Sequence, residues 1–187
     1  KLCVITPISI DHEAFLGNTL AKIAFEKAGI IKKGVPVVVG PQPEEAMDVI
    51  EKVADKYHAP LIAYGQQWHA FFERDRLVFQ DETGLCDLPL PALPGAHQIT
   101  NAGVAVAALR HLNFGQDTLE GAMTQAYWPA RMQRLSFGNL VDLAGKAELW
   151  LDGGHNPAAG QAVAEHLATL APRSTYMVCG MLNTKDI

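Results

Sequence analysis

The sequence predicts an α/β protein with a buried parallel sheet, a small antiparallel patch after it, and a second α/β unit at the C-terminal end. Three observations carry this expectation. Short apolar runs at 2–5, 35–39 and 61–63 alternate with stretches of helical period, giving strand–helix–strand units with right-handed parallel crossovers. Between 65 and 90 the pattern shortens to strand-length runs separated by turns. Beyond 133–136 a strand–turn–helix rhythm begins again.

Each element has its own local reason. The run at 2–5 leads into a polar turn carrying Asp11 and His12, and a helix is expected from Asn18 or Thr19, both good capping residues, to Ala28. Gly29 stands where a left-handed C-terminal residue is wanted. The β-branched run 35–39 reads as a buried parallel strand. Pro43-Glu44-Glu45 then opens a helix with proline and acids in its first turn, and Ala46, Val49, Ile50, Val53, Ala54 and Tyr57 keep the helical period. Pro60 ends that helix ahead of strand 61–63. Antiparallel strands are expected at 68–72, 77–79 and 85–88, with turns at Glu73-Arg74-Asp75 and Glu82-Thr83-Gly84. Pro89, Pro91, Pro94 and Gly95 make an extended connector. Helices follow at 101–112, alanine-rich enough to approach its neighbours closely, and at 118–126. The second unit reads as strand 148–151, turn 152–157, helix 158–170, strand 175–179 and loop 180–186.

The totals narrow the function. With 49% hydrophobic and 19% charged residues the chain is globular, and its net charge of −5 without a Lys/Arg cluster argues against a nucleic-acid surface. Cys3, Cys86 and Cys179 are far apart, which disfavours a disulfide framework or a zinc ribbon and fits a reducing cytoplasm. No apolar run approaches the roughly 18 residues of a membrane helix. The chain enters a strand directly after Lys1 and closes just beyond a strand and loop, so it reads as an internal piece of a longer protein.

Five places could carry chemistry. Asp11-His12 sits beyond a parallel strand's carboxyl end, where ligands bind in such sheets, although a hydrogen-bonded pair is the plainer account. Lys27 is either a solvated helix-end lysine or, through its apolar neighbours Ala28 to Ile31, a buried reactive amine. In Asp152-Gly153-Gly154-His155-Asn156-Pro157 the last two residues are explained as cap and first helical position, while the glycines allow a close backbone approach and Asp152 and His155 point at a ligand. Arg131 is a surface charge or a phosphate clamp. Asn101 at a helix start is by default a cap. Neither G-x-x-x-x-G-K-S/T nor G-x-G-x-x-G occurs.

Taken together, Ile10-Asp11-His12, Leu16-Gly17-Asn18-Thr19, Ile23 to Lys32 with Glu26-Lys27-Ala28-Gly29-Ile30, Pro94 to Ala102, Trp128-Pro129-Ala130-Arg131-Met132-Gln133, Asp152 to Pro157 and the closing Gly180-Met181 with Lys185-Asp186 resemble the bacterial folylpolyglutamate synthase/dihydrofolate synthase family of the Mur ligase superfamily. The blocks run in order over nearly the whole chain. The resemblance implies an α/β fold: residues 1–135 as the second half of a P-loop-type parallel-sheet ATPase domain with a small antiparallel strand insertion, and 136–187 as the start of a Rossmann-like C-terminal domain. It implies an ATP-dependent ligase that joins L-glutamate to dihydropteroate or a folate polyglutamate through an acyl phosphate. By matching position, His12 would bind Mg2+, one of two such ions in the full-length enzyme, and Lys27 would be carbamylated. Asn101 would contact adenine, Arg131 the ATP phosphates and Asp152 the nucleotide. His155 would lie near the γ-phosphate and the incoming glutamate. A monomer is implied, with no nucleic-acid or membrane partner. The phosphate loop and much of the folate site would lie upstream of Lys1. Ala130 replaces a usual glycine and Gly154 a usual alanine, small-for-small changes expected to be tolerated. The alternatives are a cell-wall Mur-type ligase and a metallohydrolase using Asp11, His12, Asp152 and His155.

Overall fold

The computed structural model describes residues 1–11 and 13–182, apart from the side chains of residues 13 and 14. Strand β1 (Cys3–Ile5) leads through a turn to the short helix α1 (Glu13–Leu16) and then α2 (Leu20–Ala28). Strand β2 (Val37–Val39), helix α3 (Glu44–Lys56) and strand β3 (Leu61–Ala63) complete a three-stranded sheet in the order β1-β2-β3. Both pairings are parallel, with Cys3 opposite Val37 and Val37 opposite Leu61. This is the strand–helix–strand arrangement expected from the sequence.

β2 is the centre of the molecule. Val37 and Val39 face one apolar cluster with Ile23, Ala24, Ala46 and Ile50, while Val38 faces a second with Trp68, Phe79 and Val106. All three valines are fully buried. A continuous β-branched run is what a strand covered on both faces requires.

The second cluster is built by β4 (Trp68–Glu73), β5 (Arg76–Asp81) and β6 (Gly84–Leu88), an antiparallel meander, under helices α4 (His97–His111) and α5 (Gln116–Thr124). Arg74 and Asp75 take positive φ in the first hairpin turn. The Trp68 and Phe79 rings stack at 5.7 Å, and the Trp68 indole N–H donates to the Ile62 carbonyl at 3.1 Å. The closest approach of α4 to this sheet falls at Gly103, where an added Cβ would stand 2.6 Å from that of Ala70. The flanking alanines Ala102 and Ala107 are buried as expected.

The last part holds β7 (Gln133–Leu135), α6 (Asn139–Ala144), β8 (Leu149–Leu151) and α7 (Pro157–Thr169). β7 and β8 pair antiparallel, with Arg134 opposite Trp150.

Four expectations need correction. Gly29 is not left-handed: its φ of −57° continues the helix, and the positive φ falls at Gly34 (68°). α4 begins at His97 rather than 101, so Asn101 lies inside the helix and is not its cap. β7 and α6 were not foreseen. The strand expected at 175–179 has no regular structure: Tyr176 is 91% and Val178 99% exposed, with no strand edge beside them to pair with. Among the described residues no helix is long and apolar enough to cross a membrane.

Candidate active site

A cavity of about 420 Å³ opens beyond the carboxyl end of β1. Ile5, Ile8 and Ile23 line its apolar part, and Asp11, Lys27 and Asn156 its polar part. The loop after β1 is braced from the strand beside it. Gln42, just past β2, donates to the Thr6 carbonyl at 2.9 Å and accepts from the Ile8 N–H at 3.0 Å. On the other side α2 is capped by Thr19, whose hydroxyl accepts from the Lys22 N–H at 3.3 Å, and its last turn carries Lys27. Lys27 is exposed, so the buried amine expected from its apolar neighbours is not formed. A lysine at a helix C-terminus faces outward unless another element covers it.

The second half of the site comes from the turn after β8. Asn156 caps α7 by accepting from the Ala159 N–H at 2.8 Å, with Pro157 in the first turn, as the sequence predicted. Its other amide end donates to Asp11 Oδ2 at 2.8 Å, a bond spanning 145 positions of sequence. His155 Nε2 lies 3.6 Å from the same oxygen. His155 Nδ1 lies 3.1 Å from the Gly153 carbonyl, which can only accept, so Nδ1 carries a proton. Nε2 therefore meets Asp11 either as a second N–H or as a lone pair, according to charge.

Asp152 turns inward rather than toward a ligand. Its Oδ2 accepts from the Met132 N–H at 2.8 Å and its Oδ1 from the Gly154 N–H at 2.6 Å. The Gly153 N–H donates to the Ala130 carbonyl at 2.9 Å. Asp152 and Gly153 thus tie the 152–156 turn to the loop carrying Arg131. Arg131 is exposed, with Nη1 donating to the Ala130 carbonyl at 3.0 Å, and Met132, only 4% exposed, anchors that loop.

The glycines have a packing reason. A Cβ on Gly153 would sit 3.2 Å from Arg131 Nη1, and one on Gly154 only 2.8 Å from both Ala159 Cβ and Asp152 Oδ1. The close approach expected here is therefore to the chain itself. Gly154 is also not interchangeable with alanine without a shift. Ala130 has a φ of +55°, a conformation that glycine adopts freely and alanine does not, so the usual glycine at this position has a backbone explanation.

A third group stands at the N-terminal end of α4. Asn101 Nδ2 donates to Gln98 Oε1 at 3.1 Å, and Gln98 Nε2 lies 3.0 Å from His97 Nε2. Gln98 is the one polar residue among the buried ones, and His97 Nδ1 is buried without a partner. Burial pushes the His97 pKa down, against the opposing pull of Asp152, while Arg131 adds to the lowering. His97 is thus within electrostatic reach of the 131 and 152 loops. Sequence reasoning did not single out His97 or Gln98; an adjacent His-Gln pair one turn before an asparagine was the available signal.

Lys27, Asp11 and Asn156 line one cavity, His155 meets Asp11, and Asp152 and Arg131 sit in the adjoining loops. Asn101 stands apart, at the end of the Gln98–His97 chain. His12, Lys185 and Asp186 lie outside the described residues. Among the described residues no three His, Cys, Asp or Glu side chains are grouped to hold a metal ion, and both Asp152 oxygens are committed to backbone N–H groups. This donor set alone does not fit Mg2+, and no step below passes through a metal.

Fold and site together define an α/β protein with a cleft at the strand ends of a parallel sheet, closed on one side by the N-terminus of a helix from a separate sheet unit. No family model matches the chain. It is 32% identical over 175 residues to the dihydrofolate synthase/folylpolyglutamate synthase of Bacillus subtilis (strain 168), a match covering 88% of this chain and 39% of that protein. It is 32% identical over 190 residues to the Escherichia coli (strain K12) protein of the same name, covering 100% of this chain and 42% of the relative. The solved structure of E. coli FolC in complex with DHPP and ADP superposes with a TM-score of 0.79 at 29% identity, covering 92% of this chain and 39% of that one. The chain belongs to the dihydrofolate synthase/folylpolyglutamate synthase family, and it spans about two fifths of the length of the relatives it matches.

Proposed function

We propose that the protein carrying this chain is an ATP-dependent ligase that joins L-glutamate to dihydropteroate, to a folate polyglutamate, or to both. The observation that carries this reading is the continuous seam from Lys27 through Asp11, Asn156 and His155 to the loops holding Asp152 and Arg131. It unites groups from the two ends of the chain in one cleft. The relatives' printed names and the nucleotide in the FolC complex supply the substrate classes.

In the proposed reaction the substrate carboxylate takes the γ-phosphoryl group of ATP, giving an acyl phosphate and ADP. The glutamate amine then attacks the acyl carbon, inorganic phosphate leaves with the C–O bonding pair, and the amine loses a proton as the amide forms. The residues of this chain position and neutralise rather than react covalently. Arg131 is exposed, and its guanidinium serves the ATP phosphates. Asp152 holds the Arg131 loop against the 152–156 turn, which is how it serves the nucleotide. His155, oriented by Gly153 and Asp11, stands near the γ-phosphate and the incoming amine. Asn101 contacts the base.

Mg2+ would neutralise phosphate charge, with His12 and a carbamylated Lys27 among its ligands; exposure of Lys27 leaves its amine open to CO2. We place the division between the ATPase-domain half and the C-terminal domain at 135/136, and the β7–β8 pairing draws Gln133–Leu135 into the C-terminal sheet. A monomer in the cytoplasm, without nucleic-acid or membrane partners, completes the reading. The commitment of Asp152 to backbone N–H groups favours the ligase over a metallohydrolase that would need its carboxylate free.

The test is Lys27→Ala in the full-length protein. ATP-dependent glutamate incorporation should fall by at least about a hundredfold and return in part with a small added carboxylate; unchanged activity ends the carbamate role. Arg131→Ala should raise the KM for ATP about tenfold or more while leaving that for the folate substrate unchanged. A larger effect on the folate side would remove Arg131 from the nucleotide. Pteroate with glutamate, offered against a nucleotide-sugar peptide with its amino acid, separates the proposed ligase from a cell-wall one.

A further inference from the structure

Resting on the reading of Asn101 as a base contact, we infer that the Asn101–Gln98–His97 hydrogen-bond chain fixes the amide of Asn101 with its carbonyl oxygen outward, so that the site selects a purine carrying an exocyclic amine over one carrying a carbonyl there.

The argument is one of donor and acceptor accounting along three side chains. His97 lies in the first turn of α4 and Asn101 one turn further on, with Gln98 between them. Gln98 Nε2 can only donate, so its 3.0 Å contact makes His97 Nε2 the acceptor and places the ring proton on Nδ1. The other end of the Gln98 amide, Oε1, can then only accept, and it receives Asn101 Nδ2 at 3.1 Å. The Asn101 amide is planar, so with Nδ2 turned inward its oxygen is turned away. Asn101 is exposed, which leaves that oxygen as the group a ligand meets. The chain has one polarity: acceptor at the ring, acceptor at the surface.

Reversing it would need a proton on His97 Nε2. The ring would then donate to Gln98 Oε1, Gln98 would donate to Asn101 Oδ1, and Asn101 would present an N–H outward. A charged His97, with both nitrogens protonated, would force that reversal. Burial works against the charged ring, and so does Arg131, while Asp152 and Glu165 pull the other way. A buried, fully hydrogen-bonded glutamine is costly to rotate, because rotation leaves its amide mismatched at both ends. An adenine-type base offers a donor to the outward oxygen, and a hypoxanthine-type base offers a carbonyl that opposes it.

The experiment measures equilibrium dissociation constants of ATP and ITP, which differ at that ring position, for the full-length protein by calorimetry, with melting curves to confirm folding. Wild type should bind ATP about tenfold or more tighter than ITP, and Gln98→Met should cut that preference about tenfold by freeing the Asn101 amide. His97→Phe, which keeps Gln98 but removes its acceptor, should lower the preference as well, and it answers the question should Gln98→Met not fold. Gln98→Glu still accepts from Asn101 Nδ2 and should hold the preference near the wild-type value. A preference unchanged in both Gln98→Met and His97→Phe overturns the pre-orientation. Asn101→Ala separates the two layers: if it weakens ATP binding while those variants keep the preference, Asn101 touches the base without being pre-set. If it leaves ATP binding unchanged, the base contact itself falls, and this inference with it.

Discussion

The two sides of the cleft rest on unequal supports. Lys27 and Asn101 stand on helices packed against β2 and the meander, where two clusters of buried side chains meet on either face of one strand. Arg131, Asp152 and His155 stand on or beside the β7–β8 unit, where no residue from 133 to 182 is buried. Met132 is the last buried side chain before it. The site thus joins a rigid face to a soft one, and the connection runs through polar contacts, Asn156 and His155 to Asp11 and Asp152 to the Met132 N–H. Apolar burial sets the stability of the first region, while directional bonds set the geometry of the second.

The sharpest way to break this comparison is to truncate equivalent side chains on the two sides. Ile50→Ala empties a fully buried position and should cost about 2–5 kcal/mol in urea unfolding of the chain. Leu143→Ala, at a position 83% exposed, should change stability by less than about 0.5 kcal/mol. Comparable losses in both would mean that the second region buries Leu143 in solution.

Ion pairs allow the same contrast at smaller amplitude. Arg110 holds Asp81 through two bonds of 2.8 Å and lies over the Phe79 ring, with both side chains at most one-fifth exposed. Burial pushes the Asp81 carboxyl up, but the hydrogen bonds from Arg110 and Thr83 outweigh it and leave the pKa lowered. A carboxylate with a depressed folded-state pKa stabilises the fold above its unfolded value and loses that contribution as pH falls through the folded one. Arg110→Met should cost about 1–3 kcal/mol at neutral pH and flatten the acid limb of the stability curve below about pH 4. Arg134→Met, which removes an exposed pair with Glu148, should leave the unfolding midpoint within error. An equal cost from the two variants would show the second region to be as tightly held as the first.

The same division explains what was legible in the sequence. Runs such as Val37-Val38-Val39 declare burial by composition, and Thr19 and Asn156 declare helix starts by their own side-chain chemistry, so those elements fell where expected. α4 began four residues early because nothing caps it: Ala96 at its start makes no side-chain bond, and the polar His97-Gln98 pair shows no apolar period. β7 holds one apolar residue in three and exists through pairing with β8, a long-range fact with no local trace. The run at 175–179 has strand composition and no partner, the converse case. At the site, motif order identified the residues but not their wiring. That Asn156 reaches Asp11 and Asp152 faces the backbone depends on contacts between segments far apart in the chain.

The smallest effect lies in the soft region's own backbone. Ala130 holds a φ of +55° and its carbonyl receives both the Gly153 N–H and Arg131 Nη1. A Cβ in that conformation costs about 1–2 kcal/mol, and glycine would remove the strain while adding about 0.4–1 kcal/mol of unfolded-state freedom. Ala130→Gly should therefore gain up to about 1 kcal/mol, read as slower hydrogen exchange at the Gly153 amide. The benefit should stay local: amides of β2 should exchange unchanged, because the apolar clusters beside it do not depend on this loop. Faster exchange at Gly153 would mean that the loop needs the stiffness of alanine more than relief of its φ. Slower exchange in β2 would mean that the two sides of the cleft unfold as one unit, and the contrast drawn between them would fail.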